Sequence, residues 1–233
     1  MRVKVQDLLT ELDTNLAGIR HPYTSASSAD RIYEVYAFSM VISAAVKAGG
    51  EVRYYAGSQY FAKEVKDLEF RGAPGVIHAP NQRWTFATLN FGVAPLLEVH
   101  LRVKIVGGRT KTEGECDILI LDHHAAGTSR AKRQSPAASK CLAVIECKFY
   151  STTLPVALGR EFANLCRDRG QRLLGYFVSN QTGPQAWKTL AAEPNAICEF
   201  GVRPGDPRAQ HLETLLREAF KRHVVLYDPD HVV

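Results

Sequence analysis

Two short runs decide the fold: Glu115-Cys116-Asp117-Ile118-Leu119-Ile120-Leu121 and Ala143-Val144-Ile145-Glu146-Cys147-Lys148-Phe149. Both are rich in aliphatic and β-branched residues and are bounded by polar or glycine-containing segments. That pattern predicts buried strands. Each also carries charge where a buried strand ordinarily has none. Alternation puts Glu146 and Lys148 on one side of their strand, with Ile145 and Cys147 on the other. On the first strand it groups Asp117 with Leu119, opposite Cys116, Ile118 and Ile120. Side by side, the two strands would bring Asp117, Glu146 and Lys148 to one surface.

Two carboxylates and an ammonium at the margin of an apolar sheet are costly to desolvate unless something compensates them. A divalent cation does so. Carboxylate oxygens from Asp117 and Glu146 suit Mg²⁺ or Mn²⁺, with waters and a substrate phosphate completing an octahedron. Lys148 would then orient or deprotonate the attacking water, or balance charge in the transition state. The plainer alternative is a partly buried ion pair at a strand end.

An Asp on one strand followed by Glu-x-Lys on the next resembles the PD-(D/E)XK superfamily, the restriction-endonuclease-like phosphodiesterases. The motif stands here as Cys116-Asp117 and Glu146-Cys147-Lys148, with Cys116 where the family usually has Pro. The resemblance implies an α/β fold with an α-β-β-β-α-β core, in which a mixed sheet is flanked by helices. It also implies Mg²⁺- or Mn²⁺-dependent hydrolysis of phosphodiesters in nucleic acid, DNA before RNA. Asp117 and Glu146 would hold the metal, the backbone carbonyl of Cys147 would be an added ligand, and Lys148 would act on the water. Members often carry a further acid on the first core helix. Glu34 matches it in order and setting, reaching the metal directly or through water. Without the resemblance, Glu34 reads as a surface acid favoured by the helix dipole.

The element order agrees. A helix from Arg31 to Ala48, apolar nearly all round, follows a Ser27/Asp30 capping signal and stops at Gly49-Gly50. Short β-type segments follow at Glu51–Tyr55, Gly57–Phe61, Leu68–Arg71, Val76–Ile77 and Trp84–Phe91. Leu97 to Ile105 alternates strictly, which predicts a half-exposed strand with Glu98, His100, Arg102 and Lys104 on its outer face. After Lys148 come a helix to about Arg169, capped at Thr152 or Thr153 with Pro155 in its first turn, and a strand over 172–179. A helix near Pro184–Ala192 and a strand Ala196–Phe200 complete the order. One domain spans residues 1–233, with a core over about 30–180. A helix over 3–19 and another over 208–223 are additions that cover the sheet or meet a partner subunit.

Residues 122–140 read as a long basic loop, with His123-His124 in a turn. Arg130, Lys132, Arg133 and Lys140 are there the candidate contacts to a phosphate backbone. A solvated insertion is the alternative. Lys63, Lys66, Arg71 and Arg83, interleaved with Tyr60, Phe70 and Trp84, could face nucleic acid, or be ordinary surface charge over core aromatics.

The 233 residues carry a formal net charge of +5, a mild excess that suits an anionic partner. Five cysteines without a Cys-x-x-Cys pair point to reduced thiols and away from zinc. No secretory apolar run or membrane-length stretch is present, so a cytoplasmic protein is expected. A restriction or defence effector, a homodimer for double-strand cutting, and control by a partner protein are natural settings. The rival expectation is a catalytically silent nuclease-like module that binds nucleic acid or protein.

Overall fold

In the computed structural model, residues 3–57, 62–79, 83–169 and 173–228 are described. Helices α1 (Val5–Asn15) and α2 (Ala29–Lys47) come first, then β1 (Glu51–Ala56), β2 (Lys63–Glu64), β3 (Thr85–Asn90), β4 (Leu97–Val106) and β5 (Glu113–Asp122). Helix α3 (His123–Lys132) leads to β6 (Cys141–Lys148). The remainder is α4 (Val156–Arg169), β7 (Leu174–Ser179), α5 (Pro184–Leu190), β8 (Ala196–Phe200) and α6 (Pro207–Val225).

The strands form one mixed sheet in the order β2-β1-β3-β4-β5-β6-β7-β8. Neighbours are antiparallel as far as β6, whereas β6, β7 and β8 run parallel. The switch follows from the connections. Short turns join β3 to β4 and β4 to β5, and α3 returns the chain from β5 to the antiparallel β6, while α4 and α5 make the crossovers that parallel neighbours require. The architecture is therefore α/β, with helices on both faces.

On one face, α1, α2 and α6 pack Leu8, Leu12, Phe38, Leu212 and Phe220 against Val99, Ile118 and Ile145. Helix α2 is buried nearly all round, as its apolar sequence requires, and Tyr33 Oη donates to the Val202 carbonyl at 3.1 Å. It ends where Gly49 takes φ +85° and the Gly50 N–H closes on the Ala45 carbonyl. A Cβ on Gly50 would meet Phe91 at 2.7 Å, so the chain leaves the helix through a gap only glycine fits. On the other face, α3 covers Val103, Leu119, Leu121 and Val144, and α4 and α5 cover Phe177.

Several expectations are corrected. Residues 123–132 form a helix rather than a loop: Asp122 caps it by accepting the Ala125 N–H, and Ala126 and Gly127 lie buried against the sheet. Leu68–Arg71 and Val76–Ile77 form no strands; nearby backbone makes only the isolated bridges Arg20–Asp67 and Gly75–Val103. β4 is not half-exposed, because Glu98 and His100 are buried beneath α3. Cys116 does not share a face with Ile118; it lies with Leu119 and Leu121 on the α3 side. Ser28 caps α2 without a side-chain bond, and Pro155 precedes α4. Tyr60, most of the Gly57–Phe61 segment and Arg172 lie outside the described residues.

Candidate functional site

The site is a fork between β5 and β6. Their ladder runs through Ile120–Ala143, Leu119–Val144 and Ile118–Ile145 and ends there. Beyond it, β5 continues against β4 alone, with Cys116 opposite Val103. β6 continues against β7 alone, with Glu146, Cys147 and Lys148 opposite Phe177, Val178 and Ser179. Asp117 and Glu146 are the first residues past the split. A side chain replaces the lost ladder: Asp117 Oδ2 accepts the Cys147 N–H at 2.7 Å.

That bond also orients the backbone of β6. The Lys148 carbonyl accepts from Asn180 on the β7 side. Strand residues address alternate edges, so the N–H and carbonyl of Cys147 both point into the fork. The thiol of Cys147 is buried in the core below.

Glu146 and Lys148 share a side of β6 and are ion-paired, with side chains 21% and 24% exposed. Glu34 approaches from α2. The Arg102 guanidinium clamps it through Nε and Nη2, the latter donating to Oε1 at 2.7 Å. Asp117 thus feels the charges of Glu34, Lys148 and Arg102, and Glu146 joins them through its pair with Lys148, three carboxylates against two cations.

The titration behaviour follows from that balance. Burial raises the pKa of Asp117 to about 6. The Glu34 carboxylate adds to the rise, and Lys148, the Cys147 N–H and Arg102 oppose it. Burial raises Glu34 too, against the pull of Arg102. Burial disfavours the Lys148 ammonium, but the Glu146 and Asp117 carboxylates outweigh it, and its pKa lies above the ordinary lysine value.

The donors at the fork are hard carboxylate oxygens of the kind Mg²⁺ and Mn²⁺ take. Glu34 and Glu146 are each engaged by a cation. Among the described residues no three His, Cys, Asp or Glu side chains are already grouped as a metal cage.

The four basic residues of 122–140 divide. Lys132, Arg133 and Lys140 are exposed, and none makes an ion pair among the described residues. Arg130 is buried and turned inward onto Glu98, with Nη1 donating to Oε1 at 3.0 Å. It cannot meet a phosphate backbone without breaking that pair. Arg71 is also buried, donating to the Val76 carbonyl, and Phe70 packs on Phe38 in the core. Arg83 pairs with Glu69 and lies over Trp84.

Two features escaped the sequence. Glu98, fully buried, accepts from Arg130, from His123 Nδ1 at 2.6 Å and from His100 Nε2 at 2.7 Å, pinning α3 to β4. A His-His pair directly after an Asp cap was the available signal. The other is Arg102, which looked like one more outward residue of an alternating strand. Comparison with family models, with curated proteins and with solved structures gives no match for the chain.

Proposed function

We propose that the protein is a metal-dependent phosphodiesterase of the restriction-endonuclease-like kind, cutting nucleic acid and DNA in preference to RNA. One observation carries the reading. The sheet splits at Asp117 and Glu146, Asp117 bridges the split to the Cys147 N–H, and Glu146 and Lys148 pair with each other on β6 just beyond it. A strand fork holding an unbalanced acid pair has no use in packing, since an unbroken ladder would be cheaper.

Asp117 and Glu146 would hold the cation, with the Cys147 carbonyl and Glu34 as further oxygen donors. When bound, it supplies Lewis acidity and lowers the pKa of the attacking water. The chain's own groups do the rest. The Glu146 and Asp117 carboxylates favour the Lys148 ammonium, which suits it as donor and positive charge. It orients the water and offsets negative charge growing on the phosphoryl oxygens. Asp117, tied to the β6 backbone, fixes the spacing between the two prongs.

The test is incubation of the purified protein with supercoiled plasmid, single-stranded DNA and RNA, in Mg²⁺, Mn²⁺ or EDTA. Cleavage should require the metal and fall at least about 100-fold in Lys148→Ala. Cleavage in EDTA, or an unaffected Lys148→Ala, overturns the mechanism. A second reading has its own support: Arg102 and Lys148 already satisfy Glu34 and Glu146. That would suit a silent nucleic-acid-binding or protein-binding module, whose signature is binding without cutting in either metal.

A further inference from the structure

Across the sheet from α2 lies a cavity of about 600 Å³ in which the fork has no part. Its floor is the second face of β1 and β3. Arg53, Tyr55, Phe86 and Thr88 line it, while Tyr54, Ala87 and Leu89 alternate with them and pack on the α2 side. Glu98 of β4 and His123 and Arg130 of α3 complete the wall.

The charges on that wall cancel in pairs. Arg53 gives Nε and Nη2 to Glu51 Oε1, at 2.9 and 2.8 Å. Arg130 answers Glu98 with both of its Nη groups. His100, also bonded to Glu98, is held toward its neutral form by burial. Apart from the Tyr55 phenol, the lining group left over is His123.

Its imidazole is fixed in place. The His123 backbone N–H donates to the Leu96 carbonyl at 2.9 Å, and Nδ1 donates to Glu98 Oε1 at 2.6 Å. A ring held at Nδ1 carries its other nitrogen on the far side. His123 Nε2 has no partner among the described residues, and the side chain is 38% exposed on the cavity wall. The bond to Glu98 also favours the imidazolium, in which Nε2 is a donor. A second donor nearby is unmatched. Arg130 is buried against the same carboxylate, and its Nε–H has no acceptor among the described residues.

Around Glu98, then, donors outnumber acceptors, and protonated His123 leaves one positive charge in excess. A single carboxylate supplies acceptor oxygens and one negative charge together. The remaining wall suits a flat apolar body: the Tyr55 ring stacks on Phe86 at 6.0 Å, and Leu96 and Ala62 lie beside the same space. The volume is that of a small-molecule site. We propose that this cavity binds a small aromatic carboxylic acid, with its carboxylate on His123 Nε2 and its ring against Tyr55. The inference stands apart from the phosphodiesterase reading, because none of these residues belongs to the fork.

Phenylacetate, phenylacetamide and inorganic phosphate separate its parts. Calorimetry on the whole chain at about pH 6, where the imidazolium is favoured, should give saturable binding of phenylacetate. The amide has the same shape without the charge and should bind at least about tenfold more weakly. Phosphate, charged but without a ring, should also bind more weakly than the acid. In long-range proton–nitrogen NMR spectra, with His123 assigned from His123→Gln, phenylacetate should shift Nε2 while Nδ1 keeps its bond. His123→Gln, its folding verified by circular dichroism, should weaken the acid about tenfold. No saturable binding by the wild type, acid and amide bound alike, phosphate bound as tightly as the acid, or an unmoved His123 Nε2 overturns the proposal. A wild-type Kd in folded His123→Gln does the same. If that variant does not fold, the comparison of acid with amide on the wild type decides. Cleavage of nucleic acid enters none of these readouts, so the two ideas fail by different results.

Discussion

Asp117 and Cys147 face each other where β5 and β6 separate, and a carboxylate oxygen of one takes the backbone N–H of the other at 2.7 Å. The acid thereby substitutes for a rung of the sheet while keeping its carboxyl in a half-buried place. Burial and the nearby Glu34 raise its pKa from 3.8 to about 6. The folded state therefore holds this proton more tightly than the unfolded chain. Its contribution to stability is complete below the ordinary carboxylate range and is lost as pH rises through about 6. Asn keeps the acceptor and removes the charge. Asp117→Asn should match or exceed the wild type at pH 7.5, by on the order of 1–2 kcal/mol. Urea unfolding between pH 4 and 7.5 checks this: the wild type should lose stability relative to the variant, and parallel profiles refute it.

A cation at the fork would relieve the same excess charge. Mn²⁺ or Mg²⁺ at about 100 times Kd should stabilise the wild type by about 2.7 kcal/mol, and EDTA should reverse it. Asp117→Asn and Glu146→Gln should show little of this gain. An equal rise of the melting temperature in both variants would place the ion elsewhere.

Glu98 tests a different part of the molecule. It is fully buried, and its hydrogen bonds to His100, His123 and Arg130 outweigh burial and hold its carboxyl below the usual range. Removing it strands the Arg130 guanidinium in the interior. Glu98→Ala should cost about 3–5 kcal/mol in urea unfolding. Glu98→Leu with Arg130→Met should recover much of that, because no lone charge remains. A double variant no better than the single would mean that the cluster specifies the position of α3 rather than merely balancing charge.

The two histidines of that cluster should pull in opposite directions. The hydrogen bond that His123 donates to Glu98 raises His123, so its contribution is full below the unfolded histidine pKa and fades as pH rises through the folded value. Burial lowers His100 against the pull of Glu98, so its contribution is present above that unfolded value and is lost on acidification. Between pH 7.5 and 5.5, His123→Gln should steepen the loss of stability and His100→Gln should flatten it. Urea midpoints at both pH values decide; like-signed effects would contradict the assignment.

The strands carrying Asp117, Glu146 and Lys148 were legible because short aliphatic runs bounded by breakers have few other uses. Helix α2 was legible because it is apolar on every side. What failed was local reading where tertiary contacts decide. Glu98 and His100 alternate with Val99 and Leu101 as a solvent face should, yet ion pairing lets α3 bury them. Helix α3 itself has no apolar stripe: Ala125, Ala126 and Gly127 fit it to the sheet through smallness, which a periodicity search cannot see. Nothing in the letters around Arg102 announces its left-handed backbone, with φ +50° inside β4. The acids of the fork could therefore be named from the sequence, but their cationic counterpart on β4 could not.

The change from antiparallel to parallel pairing at β6 has a consequence for how the molecule comes together. Glu34, Arg102, Asp117, Glu146 and Lys148 all precede the first crossover. β4, β5 and β6 each pair with the strand before them and the Asp117–Cys147 bond spans 30 residues, whereas Arg102 reaches Glu34 across 68. The Asp117, Glu146 and Lys148 half of the fork thus closes over short separations and the Glu34–Arg102 half over a long one, with β7 bracing the flank of β6.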